Sequence, residues 1–421
     1  MPLTVFSARD TGGKDINWTT TQDERGLLYF GNDSVLTFDG DRWQHHEVSG
    51  SYAVRALAVG ENGRLWVGAT NEIGYFDRTP QGLSAYRSLV SHLPAGAKAL
   101  GEVWSVFARG HGAVFVTADS VLVWDGQTLR IHSLPGARRL GAMEVDGQIY
   151  IYHPASGLMR LAGDRLREFI PSTVLAGAGV LWMEKSADAW LLVTNVGLLR
   201  YAHGKVEAFA PEASAFIRDG ILTSACRLPD GDLALGTLNR GLALVSPSGA
   251  LRRTFTTDDG LPSRSVFSLF VAQDGALWIT SGTSLIRLGV AEGTSLFDAQ
   301  RGLVGKPIYA LTQGGSALFA ATNEGAFRLE LDDTLTGNFE AVPELKGHYS
   351  DLYGTPEGDV YAAGFKGVDY LHAHQSSRIF STAGDVFLFR RAEGDPPRFL
   401  LASGFDILRL QSLQPDRKSV V

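Results

Sequence analysis

The chain of 421 residues contains a single cysteine, Cys226, so an intramolecular disulfide is excluded and a small buried strand residue is the expected role for it. No stretch approaches ~18 uninterrupted apolar residues, and the N-terminal Met1 to Asp10 segment shows no charged region leading into an apolar core. Read alone, it is therefore a soluble chain without an export signal. Basic runs are also missing: the formal net charge is −7, which argues against nucleic acid and anionic membrane surfaces as partners. No nucleophile elbow, phosphate loop or zinc motif occurs, and no cofactor is called for. The histidines are scattered. His372 and His374 would share a face if both lay on one strand, but no third ligand is placed beside them, and a solvated strand end is the expectation, with no metal site. His45 and His46 read as surface residues of an outer strand. The acidic pairs Asp258-Asp259 and Asp332-Asp333 fit turns better than calcium sites. Helical periodicity with apolar residues three and four apart and proper caps is not found either.

What is present is a repeat. The segments Glu61-Asn-Gly-Arg-Leu-Trp-Val-Gly-Ala-Thr70 and Gln273-Asp-Gly-Ala-Leu-Trp-Ile-Thr-Ser-Gly282 share a turn, an apolar strand with an aromatic, and a small-residue break. The aromatic or its equivalent recurs at Tyr29, Trp66, Phe115, Tyr150, Leu191, Ala234, Trp278, Phe319, Tyr361 and Phe399, a spacing of roughly 35 to 50 residues that brackets one four-stranded propeller blade. Each unit reads as short alternating or apolar segments bounded by Gly and Asp, which are strands joined by hairpins. Asn62-Gly63, Asp146-Gly147, Asp230-Gly231 and Asp274-Gly275 supply the positive φ of tight turns. Small residues such as Gly68, Gly236 and Ala321 allow neighbouring blades to approach. Forty-nine glycines are thus architectural, and 44% hydrophobic content can supply a large core. The fold class is all-β, a β-propeller of about ten four-stranded units of roughly 40 residues. The inner strands start near Trp18, Tyr52, Val103, Leu140, Val180, Leu222, Val266, Ile308, Tyr349 and Val386.

Leu3 to Asp10 matches the fourth strands at Leu251 to Phe255 and Thr294 to Gln300, so the chain opens on an outer strand without a blade of its own. Such a strand completes a last blade and removes free sheet edges. Two layouts follow: residues 3–305 as a seven-bladed ring closed by that strand, with 306–421 as three blades of a second, incomplete ring; or residues 3–410 as one closed ring, the tenth blade lacking a fourth strand of its own. Binding is expected at the mouth of the channel, where the loops before the inner strands converge. Candidates there are Tyr52, Arg55, Glu102, Trp104, Arg264, Tyr309 and Tyr349. Aromatic faces beside Arg and Glu suit sugar rings and carboxylated sugars.

Trp18-Thr-Thr-Thr-Gln-Asp-Glu-Arg-Gly-Leu-Leu-Tyr-Phe-Gly-Asn32, Val35 to Trp43 and Val54 to Val59, with Asp259-Gly-Leu-Pro-Ser-Arg-Ser-Val-Phe-Ser-Leu-Phe270 before Asp274-Gly-Ala-Leu-Trp-Ile279, resemble the two-component regulator propeller family. The resemblance covers most of the chain. It implies the periplasmic sensor region of a hybrid two-component regulator, in which about fourteen repeats form two rings, followed by a three-tyrosine domain, a membrane helix and an output module. It further implies an oligosaccharide or other small polar ligand, no catalysis, and any homodimer made through a downstream region. Three departures stand out: about ten repeats, no such sandwich domain, and no membrane helix or output module. An excised sensor region fits the lack of an export signal; a complete chain would be cytoplasmic. A propeller lyase or hydrolase with groups drawn from different blades, and a scaffold propeller, remain as alternatives.

Overall fold

The computed structural model describes residues 3–50, 53–80, 82–94, 99–186, 188–290, 302–303, 307–330, 338–392, 398–404 and 406–410. Its contacts divide into two compact units, Met1–Thr294 and Ser295–Val421. In the first unit, seven four-stranded antiparallel sheets follow one another, with inner strands Thr19–Gln22, Val54–Val59, Ser105–Arg109, Gly141–Val145, Val180–Ser186, Leu222–Arg227 and Val266–Val271. The second unit contributes an eighth, a ninth and a tenth sheet, whose inner strands are Ile308–Gly314, Tyr349–Gly354 and Val386–Ala392. All ten inner strands start within two residues of the positions expected from the repeat. The turns follow the sequence chemistry: Asp146 and Gly147 both have positive φ, 51° and 69°, as a two-residue hairpin turn matched to strand twist requires.

A chain of apolar clusters joins the sheets of the first unit. One cluster lies between each sheet and the next, and the seventh is packed on the first by Phe30, Phe38 and Trp278 with Phe6 and Trp43. Close approach demands small residues on the second strands. A Cβ at Gly68 would lie 2.5 Å from Val103 of the next sheet, and one at Gly236 would lie 2.5 Å from Val266. The ring seam is also polar: the Asn17 amide donates to the Ser281 carbonyl at 3.1 Å, and the Gln273 amide to Gln22 Oε1 at 2.8 Å. The fourth place in the seventh sheet is filled by Leu3–Ser7, which pairs antiparallel with Ser284–Leu288 over five residues. Residues 294–300, read as a fourth strand, and Asp332-Asp333 lie outside the described residues.

Several expectations need correction. Helix does occur: Pro211–Gly220 forms ten residues of it between the fifth and sixth sheets. Pro211 sits in the first turn, where its missing amide costs nothing, and Ala213, Phe216 and Ile217 at helical spacing are buried between those sheets. Its cap is Ala210 at φ 52° with no side-chain hydrogen bond, so the usual start signal is absent. The aromatic repeat also slips phase. Trp66 and Trp278 face the following sheet, whereas Phe115 and Phe399 face the preceding one, because one residue of offset in a strand reverses the side chain. His372 ends its strand and lies 2.6 Å from Asp359 through Nδ1, while Ala373 and His374 form the turn at positive φ, so the two histidines do not share a strand face. Asp259 closes a turn, accepting from the Thr256 amide at 3.0 Å.

Glu72 is a buried carboxylate in the second sheet, 6% exposed, that accepts from Ser88 Oγ at 2.6 Å, Tyr86 hydroxyl at 3.1 Å and the Ile73 amide. Burial raises its pKa above the ordinary value, the hydrogen bonds offsetting part of the effect. A raised carboxylate favours the protonated fold, so its contribution is full below the ordinary value of 4.5 and is lost as pH rises through the folded pKa. Glu72→Gln is expected to flatten the fall in stability as pH rises above 4.5, measured by urea unfolding at a series of pH values. An unchanged slope in the variant would show that Glu72 does not titrate in the fold.

Candidate functional site

The first residues of the inner strands share a local device. In the second, fifth, sixth and seventh sheets the register between inner and second strands skips one residue, leaving Arg55, Leu181, Thr223 and Phe267 unpaired. Trp18 and Trp104 stand at the same place in the first and third sheets, their amides bonded to the Gly31 and Val116 carbonyls at 2.8 Å. A bulge of this kind re-aims one side chain out of the pleat, and here it does so at the start of four of the seven inner strands of the first unit. The fourth sheet has no register shift, and Arg139 reaches in from the loop before Gly141.

These side chains form a stacked arc across five consecutive sheets. Phe267 stacks on Trp18 with centroids 5.0 Å apart and planes 12° from parallel. The Arg55 guanidinium lies 3.5 Å above the Trp18 ring and 5.1 Å from the Trp104 ring. Arg139 lies 4.4 Å from the same Trp104 ring. The aromatic members and Arg55 are half-buried. Guanidinium over indole is the strongest common cation–π arrangement, contributing roughly 0.5–2 kcal/mol per contact as water is removed.

The two arginines differ in charge environment. Arg55 Nε donates to Glu102 Oε2 at 2.6 Å, and the Thr70 hydroxyl donates to the same oxygen at 3.0 Å. Arg139 has no carboxylate partner among the described residues. It is exposed to solvent, and desolvation by the neighbouring protein, followed by the Arg55 charge, pulls its guanidinium below the ordinary pKa.

The structure thus brings Arg55, Glu102 and Trp104 together and adds Trp18, Phe267 and Arg139, which the sequence did not single out. Arg264 lies exposed in the loop before the seventh inner strand, its carbonyl accepting from the Gly241 amide at 2.8 Å. Tyr52 lies outside the described residues. In the second unit Tyr309 is the unpaired residue of its strand, 48% exposed, and stacks on His348 at 5.0 Å. Tyr349 instead occupies the paired position before the bulge: it is 4% exposed, and its hydroxyl donates to Asp369 at 2.8 Å. One residue of register separates a core tyrosine from an exposed one.

For chemistry, the stack presents aromatic faces, two cations and one carboxylate, without a histidine. The described histidine–carboxylate contacts, His111 with Glu61 at 3.0 Å and His372 with Asp359 at 2.6 Å, sit at hairpin turns away from the starts of the inner strands. No group of three metal-binding side chains occurs among the described residues. Burial pushes the Cys226 thiol up to about 12, so it is not a nucleophile at neutral pH.

No family model matches the chain, and no curated protein matches it. Solved structures do. The extracellular domain of a hybrid two-component system of B. thetaiotaomicron superposes with a TM-score of 0.66 at 17% identity, over 97% of this chain and 58% of its own. A second extracellular domain of that kind from the same organism gives 0.50 at 15%, over 94% and 57%. Virginiamycin B lyase of Staphylococcus aureus, solved with quinupristin, gives 0.53 at 13%, over 68% of this chain and 98% of the enzyme. The chain spans less than three-fifths of the length of the two sensor domains. Both sensor and enzyme stand among these neighbours, and fold alone does not choose between them. No helix among the described residues is long and apolar enough to cross a membrane. The chain has a β-propeller fold, shared with the extracellular domains of hybrid two-component systems of B. thetaiotaomicron and with virginiamycin B lyase.

Proposed function

We propose that this chain is the ligand-binding part of a bacterial two-component type regulator, working in the periplasm and without catalysis of its own. Its ligand is an oligosaccharide or another small polar molecule, held at the mouth of the first unit. The observation that carries this reading is the arc Phe267, Trp18, Arg55, Trp104 and Arg139, a row of faces and charges at or just before the starts of the inner strands. Sugar rings stack on such faces, and charged groups beside them fix orientation. The layout that accompanies it is a complete ring of seven sheets followed by three sheets of a second ring. Partners other than the ligand enter through a downstream region, including any second copy, and neither nucleic acid nor membrane is contacted by this part.

A panel of oligosaccharides and small polar acids, each tested for a thermal shift, checks the reading. A ligand at 100 times its Kd contributes ~2.7 kcal/mol, which for a unit of this size raises Tm by about 4 °C. Trp18→Ala or Trp104→Ala is expected to abolish that shift. A shift that survives both substitutions would move the site elsewhere, and conversion of a panel member to product would favour the lyase-type alternative.

A further inference from the structure

We infer that the mouth of the first unit selects a ring bearing a carboxylate, and that Arg139 is the residue that takes the carboxylate. This rests on the reading of that mouth as the ligand site. Arg55 is not free to bind an anion, because its Nε is occupied by Glu102, which Thr70 also holds, and its planar face is enclosed by Trp18 and Trp104. Its role is structural, setting the spacing of the two indoles. Arg139 lies beyond Trp104 with the same ring beneath it and no carboxylate partner among the described residues.

The arc therefore carries two positive charges and one negative charge, and the uncompensated one is at its end. Such a guanidinium, with a like charge nearby and no carboxylate partner among the described residues, gains most from an anion that brings two acceptor oxygens. A ring carboxylate lets the two contacts form together: the ring covers the exposed aromatic surface while its carboxylate meets the planar fork of Arg139. A neutral ring can make only the first. Glu102 does not oppose this, since its charge is engaged with Arg55.

The test uses the full chain and matched probes, namely tetragalacturonate, glucuronate and N-acetylneuraminate, each beside its methyl ester, in which the ring is kept and the charge removed. Binding is followed by tryptophan fluorescence, which Trp18 and Trp104 report. At least one acid is expected to bind ~10–100-fold more tightly than its ester, the range for a charge-assisted bidentate pair. Arg139→Gln should bring acid and ester to the same affinity, and Arg139→Lys should restore part of the difference. Equal binding of acids and esters, lost in Trp104→Ala, would overturn the inference while leaving the mouth as the ligand site. Acid preference that persists in Arg139→Gln would overturn the role of that residue. If no probe binds, the inference falls, and the wider panel of oligosaccharides decides separately whether the mouth is a site.

Discussion

Removal of Met1 to Ser7 is expected to destabilise the first unit by on the order of 5 kcal/mol, lowering its Tm by about 8 °C. Leu3–Ser7 closes the seventh sheet through five pairs with Ser284–Leu288, and without it the third strand becomes a free edge. The strand also carries Phe6, whose ring lies 5.5 Å from Phe38, 5.5 Å from Trp43 and 5.6 Å from Trp278. Phe6 therefore joins the first and seventh sheets at the ring seam. Phe6→Ala alone should account for about half of the loss, because it empties the seam while retaining the ladder. Calorimetry of the full chain against both variants checks this. A truncated chain that melts within about 2 °C of the intact one would mean that the seam is held by the Asn17, Gln22 and Gln273 hydrogen bonds instead.

Asp351→Ala is expected to cost the second unit about 2 kcal/mol, within the range for leaving a buried amide without its acceptor. Asp351, buried on the ninth inner strand, accepts the Phe389 amide of the tenth at 2.7 Å and pairs with Arg390. The same two positions in the sixth and seventh sheets are Ser224 and Leu269, bonded at 3.0 Å, so the contact is a recurrent tie between inner strands that no ladder connects. Arg390 is half-exposed, and most of the expected cost comes from the orphaned amide. Asp351→Asn retains an acceptor and should lose about a third as much. Hydrogen exchange at Phe389 reads the effect directly: protection should collapse in the Ala variant and survive in the Asn variant. Retained protection in both would assign the amide to another acceptor.

Fold class and strand positions were legible because they depend on neighbours in sequence. Asp146-Gly147 makes a turn, alternation sets the faces, and the ten inner strands fall where the repeat puts them. The helix at Pro211–Gly220 was harder to read, since its apolar spacing covers only one short face and Ala210 gives no capping signal. Phe115 and Phe399 misled for a different reason: they occupy the right strand but the wrong phase of a period of two.

The candidate site was half legible. Arg55, Glu102 and Trp104 stand out as charges and an aromatic at the starts of inner strands, and the structure joins them. Trp18 and Phe267 come from the first and the last sheet of the first unit, and only closure of the seventh sheet on the first stacks one on the other. Arg139, in a loop beside Arg138, carries no local mark that sets it against Trp104.

The sequence by itself determined that this is a propeller and where each of the ten inner strands among the described residues begins, since turn chemistry and strand alternation act over a few residues. Tertiary structure decided which sheet the opening strand completes, which of two tyrosines at equivalent strand starts is buried, and which aromatic rings meet Arg55. Each of those depends on register or ring closure, where a shift of one residue or a contact across the whole first unit outweighs every local preference.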